Sequence, residues 1–484
     1  MAQSDRSHGV RPPGRRLRRV TGGLVVLVLL AAVASYQFQL GPRWFGFDYP
    51  SPVEEPAAVP PPEGLTLPAA EDPAPVAEAT PAAEADARAV RRTVRPLLRD
   101  RRLGPQVAVA VSQLSDGEVV YRTGEDRVTP ASTMKLLTTS AAVTALGSDH
   151  RFRTTVVAGT NRRRIVLVGG GDPLLARRPE PIDESYPPRA DIQTLARATA
   201  RALRDVGRSS VRLGYDASLF SGPAVSPDWR PSYVPDNVVS PISALWVDEG
   251  RGPNTSERSP DPAEAAAQAF ADALERRNIV VVGAPRSEPA PAEAEELAAV
   301  QSAPLAEVVQ HVLEVSDNEA AEVLFRHVAI AAGLPGSFEA GSAAVVSTLA
   351  EVGVDASGDR ILDGSGLARG DRLSPETLLS LVGAAAGPDH PTLRPVLAGL
   401  PVAGFSGSLA FRFETGPAEG LGAVRAKTGT LTGVHGLAGT VTTDDGVVLG
   451  FVAIADRVKV PDTLAARVRI DELAAALAAC SCAA

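Results

Sequence analysis

The run Val424-Arg425-Ala426-Lys427-Thr428-Gly429-Thr430-Leu431-Thr432-Gly433-Val434 decides how this chain is read. Its short apolar opening predicts a strand, and the glycine inside it lets another backbone or a ligand approach closely. A plainer reading is an exposed lysine beside a turn glycine. Scarcity lifts Lys427 above that reading: the chain has three lysines, Lys135, Lys427 and Lys459, among 48 basic residues. A guanidinium stays charged in proteins, whereas a buried ammonium can lose its proton and act as a base. A lysine kept in an arginine-using chain therefore marks a position where arginine does not substitute.

Working outward, Lys135 closes the motif Ser132-Thr133-Met134-Lys135. The pattern predicts a helix from Ser132 to about Leu146, stopped by Gly147. Residues three apart on a helix share a face, so the two side-chain heads can meet. Serine is a weak nucleophile until a neighbouring base takes its proton, and an unprotonated lysine can do so. Burial and a second cation both lower a lysine pKa, and Lys427 is the candidate second cation. Taken alone, Ser132 reads more simply as a helix N-cap. Ser316-Asp317-Asn318 lies between two helical stretches, where side chains can point into a cleft; Ser316 with Glu319 also reads as a capping box. The three motifs stand in the order Ser-x-x-Lys, Ser-Asp-Asn, Lys-Thr-Gly, and none has a competitor elsewhere in the chain. Rival chemistries lack their parts: there is no Gly-x-Ser-x-Gly elbow, no His-Glu-x-x-His, and the six histidines form no ligand spacing. No metal and no cofactor is expected.

With these motifs in place, the chain resembles the D-alanyl-D-alanine carboxypeptidases of the low-molecular-mass class C penicillin-binding proteins, peptidase family S13. Further matching segments are Gly169-Gly170-Gly171-Asp172-Pro173, Asp363-Gly364-Ser365-Gly366-Leu367 and Leu400-Pro401-Val402-Ala403-Gly404. The similarity covers about residues 90 to 475, and the long gap from Lys135 to Ser316 fits a family that inserts extra domains there. Ala368 departs from the family's usual serine, a change that the site should tolerate. The resemblance implies an α/β fold: a penicillin-binding, serine β-lactamase-like core, with an antiparallel sheet flanked by helices and an inserted region. It implies that Ser132 attacks the carbonyl between two D-alanines of a peptidoglycan stem peptide, with Lys135 as base. Backbone N–H groups of Ser132 and Thr430 would form the oxyanion hole, Ser316 would pass the proton to the departing amine with Asn318 and Lys427 in support, and Thr428, Gly429 and Thr430 would bind substrate. β-Lactams would stall the acyl-enzyme. The rival readings are a DD-endopeptidase cutting cross-links and, from another class, a penicillin- or wall-binding module with an idle site.

Composition and the N-terminus set the surroundings. The chain has 484 residues, 44% of them hydrophobic, and a formal charge of −9, which with no basic stripe after residue 20 argues against nucleic acid as partner. Residues 1–19 carry six arginines against one acid and read as a cytoplasmic basic arm. Residues 20–42 are uncharged and long enough to span a bilayer as a helix, so a single-pass membrane placement with an extracytoplasmic catalytic region is expected. Ala32-Val33-Ala34 also resembles a signal-peptidase site, which would make the protein secreted. Residues 43–86 read as a Pro/Ala-rich linker. The catalytic core is expected over 87–147 and 291–484, interrupted by inserted domains over 148–290. Cys480 and Cys482 lie at what reads as a frayed C-terminal end and look incidental.

Overall fold

The structure, a computed structural model, describes residues 83–181, 186–253 and 255–484. Asp86 accepts from the Arg88 N–H and so caps α1 (Ala87–Leu97). A hairpin of β1 (Gln106–Gln113) and β2 (Val119–Gly124) follows, then α2 (Met134–Leu146). The next stretch holds β3 (Arg153–Ala158), β4 (Arg164–Val168), α3 (Ile192–Asp205) and β5 (Ser210–Asp216). It continues through α4 (Pro262–Glu275), where Asp261 caps and Pro262 opens the helix as the sequence predicts, to β6 (Val280–Val281), β7 (Arg286–Ser287) and β8 (Glu296–Gln301). Five helices come next: α5 (Leu305–Glu314), α6 (Asn318–Ala331), α7 (Phe338–Glu351), α8 (Pro375–Ala386) and α9 (Arg394–Ala398). The chain closes with β9 (Val424–Leu431), β10 (Val434–Thr442), β11 (Val448–Asp456) and α10 (Thr463–Ala478).

Five strands form an antiparallel sheet in the order β2-β1-β11-β10-β9. Strand side chains alternate between faces, and both faces of this sheet are covered. Ala108 and Ala110 of β1, with Val452 and Ile454 of β11, pack under α2, α5, α6 and α8. Val109, Val111, Phe451 and Ala453 point the other way, into the layer made by α1 and α10. Two covered faces explain why Val447 to Ile454 reads as a continuous apolar run rather than an alternating one. The fold is thus the mixed α/β, helix-flanked antiparallel sheet that the resemblance implied.

A second sheet, in the order β6-β5-β4-β3-β8, is built from residues 153–301, with β7 beside β5. From its β5 strand the chain returns to the first core: Trp229, Tyr233, Val239 and Trp246 pack with Val323, Phe338 and Leu367. That contact brings residues 229–246 beside the start of α6.

Two expectations change. The C-terminal end is not frayed: Cys482 accepts from the Asp86 N–H at 2.7 Å, Ala484 donates to Glu84 at 2.8 Å, and Cys480 and Cys482, both buried, are joined as a disulfide. The single-pass membrane placement is also corrected. Among the described residues no helix is long and apolar enough to cross a membrane, and residues 1–82, which hold the basic arm, the 20–42 segment and most of the linker, lie outside the described residues.

Phe451 is fully buried on the middle strand of the first sheet. Phe451→Ala should cost about 3–5 kcal/mol, as deletion of a buried aromatic ring usually does. Urea denaturation of variant against wild type checks this.

Candidate active site

The site is built where α2, α6, β9 and the loop 363–368 meet. Ser132 lies on a single 3-10 turn, Ala131–Thr133, directly before α2. Ala131 has φ +48°, an unusual conformation for a residue with a side chain, and the Thr133 hydroxyl fixes the turn by donating to the Pro130 carbonyl at 2.8 Å. Ser132 makes no capping bond, so the N-cap reading does not hold. One turn on, Lys135 is fully buried, and its Nζ lies 3.0 Å from Ser132 Oγ, 2.8 Å from Asn318 Oδ1 and 2.8 Å from the Ser365 carbonyl.

Asn318 is the first residue of α6, and the helix is capped by Asp317, whose carboxylate accepts from Ala320 N–H at 2.9 Å. The capping box anticipated from Ser316 and Glu319 is therefore not made. Ser316 instead takes a left-handed conformation, φ +63°, in the turn that enters the helix. It is partly exposed and lines a cavity of about 520 Å3 together with Asn318 and Val238. The start of α6 is pinned from the second sheet's side of the molecule. Val238 accepts from Asn318 Nδ2 at 3.2 Å, and buried Arg258 pairs with buried Glu319 at 2.7 Å.

β9 supplies the opposite wall. Lys427 is fully buried and donates to the Thr428 carbonyl at 3.2 Å, while Thr428 Oγ1 meets Ser408 Oγ at 3.0 Å. A Cβ at Gly429 would stand 2.7 Å from the Pro130 carbonyl, so only glycine lets β9 lie this close to the turn bearing Ser132. Thr430 is exposed at the rim. Ala426 N–H points away from β10, donating to the Pro401 carbonyl at 3.0 Å. Alternate strand residues present their N–H groups to the same side, so those of Thr428 and Thr430 face the same open edge.

The structure thus bonds Ser132, Lys135 and Asn318 directly and brings Gly429 against them. Ser316 joins through the backbone two residues from Asn318; among the described residues it has no side-chain bond to the other motif residues.

Burial governs the electrostatics. It lowers the Lys135 pKa to about 8, opposed by the charges of Asp363, Glu322, Asp317 and Glu319. Lys427 is driven well below the usual lysine range by burial, then by Lys135 and Arg412. A proton on either lysine disfavours one on the other. Burial thus weakens the hold of Lys427, the candidate second cation, on its proton.

The roles of two supporting side chains, Glu322 and Asp363, escaped the sequence reading. Glu322, buried on α6, accepts from Gly364 N–H at 3.0 Å and Ser365 N–H at 2.8 Å. Asp363 accepts from Trp229 Nε1, Gly366 N–H and Ala368 N–H, each at 2.7 Å. Ala368 contributes its backbone, which is why alanine serves there. Burial raises both acids, Glu322 to about 8. The missed signal for Glu322 was its place four residues after Asn318, a lone acid inside the otherwise apolar run Ala320 to Phe325.

Residues 90–260 and 252–477 match the family described as D-Ala-D-Ala carboxypeptidase 3 (S13). The chain belongs to that family. Among relatives, a carboxypeptidase of Mycobacterium tuberculosis is 38% identical over 88% of this chain and 90% of its own length. A D-alanyl-D-alanine carboxypeptidase of an Actinomadura species is 30% identical over 74% and 79% respectively. Penicillin binding protein 4 of Haemophilus influenzae shares the fold, with a TM-score of 0.66 and 22% identity over 78% of this chain and 97% of that one. The S13 assignment agrees with the family that motif order had indicated.

Gly366 packs where a Cβ would lie 1.9 Å from the Ala131 carbonyl, and its φ is +81°. Gly366→Ala should destabilise the protein by about 2–5 kcal/mol, combining backbone strain with overpacking. A fall in the urea midpoint of that size checks it.

Proposed function

We propose that the protein is a serine-type D-Ala-D-Ala carboxypeptidase acting on peptidoglycan stem peptides through an acyl-enzyme on Ser132. The observation that carries this reading is the hydrogen-bond arithmetic at Lys135. An ammonium has three N–H donors and Lys135 has three acceptors; a neutral amine has two N–H donors and one lone pair. The Asn318 amide oxygen and the Ser365 carbonyl can only accept, so they take the two N–H groups of the neutral form. The lone pair then faces Ser132 Oγ, where it can receive the hydroxyl proton as the oxygen attacks.

The remaining roles follow the geometry. The N–H of Thr430 on the open edge of β9, with that of Ser132, would stabilise the oxyanion of the tetrahedral intermediate. Thr428 and Thr430 would hold the substrate's terminal carboxylate, and Gly429 lets the strand approach. Ser316, beside Asn318, would deliver the proton to the leaving D-alanine, with Lys427 adding positive charge when protonated. Water then releases the shortened peptide, and a β-lactam, whose leaving amine stays tethered, would remain on Ser132. Resemblance to the relatives named as carboxypeptidases supports this reading over endopeptidase activity.

Labelled penicillin should acylate wild type and Lys459→Ala but not Ser132→Ala or Lys135→Arg. Mass spectrometry of a synthetic pentapeptide should show loss of one D-alanine, and digestion of purified peptidoglycan should give carboxypeptidase rather than cross-link products. Acylation of Ser132→Ala, or none of wild type, would overturn the proposal.

The pH dependence has a defined sign. The reactive form of Lys135 is neutral, and the residue's pKa lies near 8, so acylation should rise with pH through about 8. Between 8 and the ordinary 10.5 the unfolded chain binds the Lys135 proton more than the folded one does. This residue's contribution to stability therefore also grows with rising pH across that window. Stopped-flow acylation rates against pH check the first statement.

A further inference from the structure

We propose that the groove between α1 and β2 is a docking site for an extended acidic peptide, on the edge of the sheet opposite the catalytic one. The groove encloses about 800 Å3 and has no acidic residue in its lining. One wall is the arginine stripe of Arg88, Arg91, Arg95 and Arg99, all exposed. Spacings of three and four residues keep Arg88, Arg91 and Arg95 on one face of α1, and Arg99 lies in the turn just past its end. Among the described residues none of the four pairs with an acid; the nearby carboxylates of Asp86 and Asp100 are taken by Arg92, Arg102 and Arg469. Four like charges along one wall repel one another, and this occurs in a chain whose net charge is −9. An anionic partner would relieve that repulsion.

The other wall identifies the kind of anion. β2 is the outermost strand of its sheet, and an unpaired strand edge can take on a further extended segment. At about 1.5 Å per residue the helical part of the stripe, Arg88 to Arg95, runs roughly 10 Å, with neighbouring arginines leaving the helix about 4.5–6 Å apart along the axis. In an extended peptide, alternate side chains on one side recur about every 6.6–6.8 Å. Carboxylates at every second position can thus meet successive arginines, each able to grip a carboxylate through two N–H donors. Leu98, Val120 and Tyr121 form the half-buried floor between the two walls. A phosphate polymer has no backbone amides to pair with the strand edge, and a lipid surface is flat where this site is concave. Because β2 and β9 are opposite edges, occupation would recruit or tether without blocking Ser132.

The test uses the full-length protein and a short fluorescein-labelled peptide that alternates Glu and Val. Fluorescence anisotropy should show binding that weakens with added salt, no binding of the Lys-Val counterpart, and a loss of about tenfold or more in R91E/R95E. Both arginines are exposed, so the variant's melting temperature should match wild type, a fold control that does not depend on the enzymatic reading. Absence of peptide binding at low ionic strength, equal binding by R91E/R95E, or preference for inorganic polyphosphate or phosphatidylglycerol vesicles over the peptide would each overturn the proposal.

Discussion

A lysine amine withdrawn from water and ringed by acceptors is the constraint on which this site rests. Burying Lys135 moves its pKa from 10.5 to about 8, a penalty on the charged form of roughly 3 kcal/mol. An amine in that state is useful only if its lone pair has one direction to take. That direction is set by acceptors from distant parts of the chain, the Asn318 side chain on α6 and the Ser365 carbonyl in the loop 363–368. Removing either would leave an N–H unpaired in a dry site, and the amine would turn. The packing of α2 on α6, and of both on that loop, is thus a precondition for chemistry as well as for stability.

The loop carrying Ser365 is held by charge as much as by packing. Glu322 and Asp363 together accept four backbone N–H bonds and one indole N–H in a space where Gly366 already touches the Ser132 turn. Their negative charge draws the Lys135 pKa upward while burial draws it down. Burial is the larger influence, and the same burial raises both acids. The local balance keeps the lysine able to exchange its proton near neutral pH instead of fixing it in either form.

Much of this was legible in the sequence because side-chain chemistry leaves side-chain signatures. Ser132, Lys135, Asn318 and the Lys427-Thr428-Gly429 strand were readable from residue type, spacing and order, and the helix starting near Ser132 and the one capped by Asp261 from local capping and turn rules. The Ser365 carbonyl was not, since a backbone acceptor can belong to any residue. Glu322 and Asp363 were hidden for a related reason: a buried acid that ties down amides looks, in sequence, like any surface acid. The N-cap and capping-box readings of Ser132 and Ser316 failed because both turns adopt conformations imposed by tertiary contact. Ala131 at φ +48° and Ser316 at φ +63° are positions that local propensity would not choose. That Lys427 is completely buried was likewise not readable from its motif.

The sheet explains how chain ends far apart in sequence share one chemistry. β1, the first strand of the hairpin that precedes the Ser132 turn, pairs along its length with β11, and β11 pairs with β10, which holds β9 in register. The nucleophile and the Lys-Thr-Gly strand are therefore rigidly related through the middle of the sheet, although residues 148–301 intervene between α2 and α5. The closing contacts of Ala85 with Ala483, and of Asp86 with Cys482, tie the same two segments together at the surface. The second sheet can be accommodated because it leaves this frame intact, while the chain around it reaches the site through Trp229 at the loop 363–368 and at the start of α6. There, Val238 and Arg258 fix the start of α6. Placing Asn318 within hydrogen-bonding distance of Lys135 is what that distant region supplies to the site.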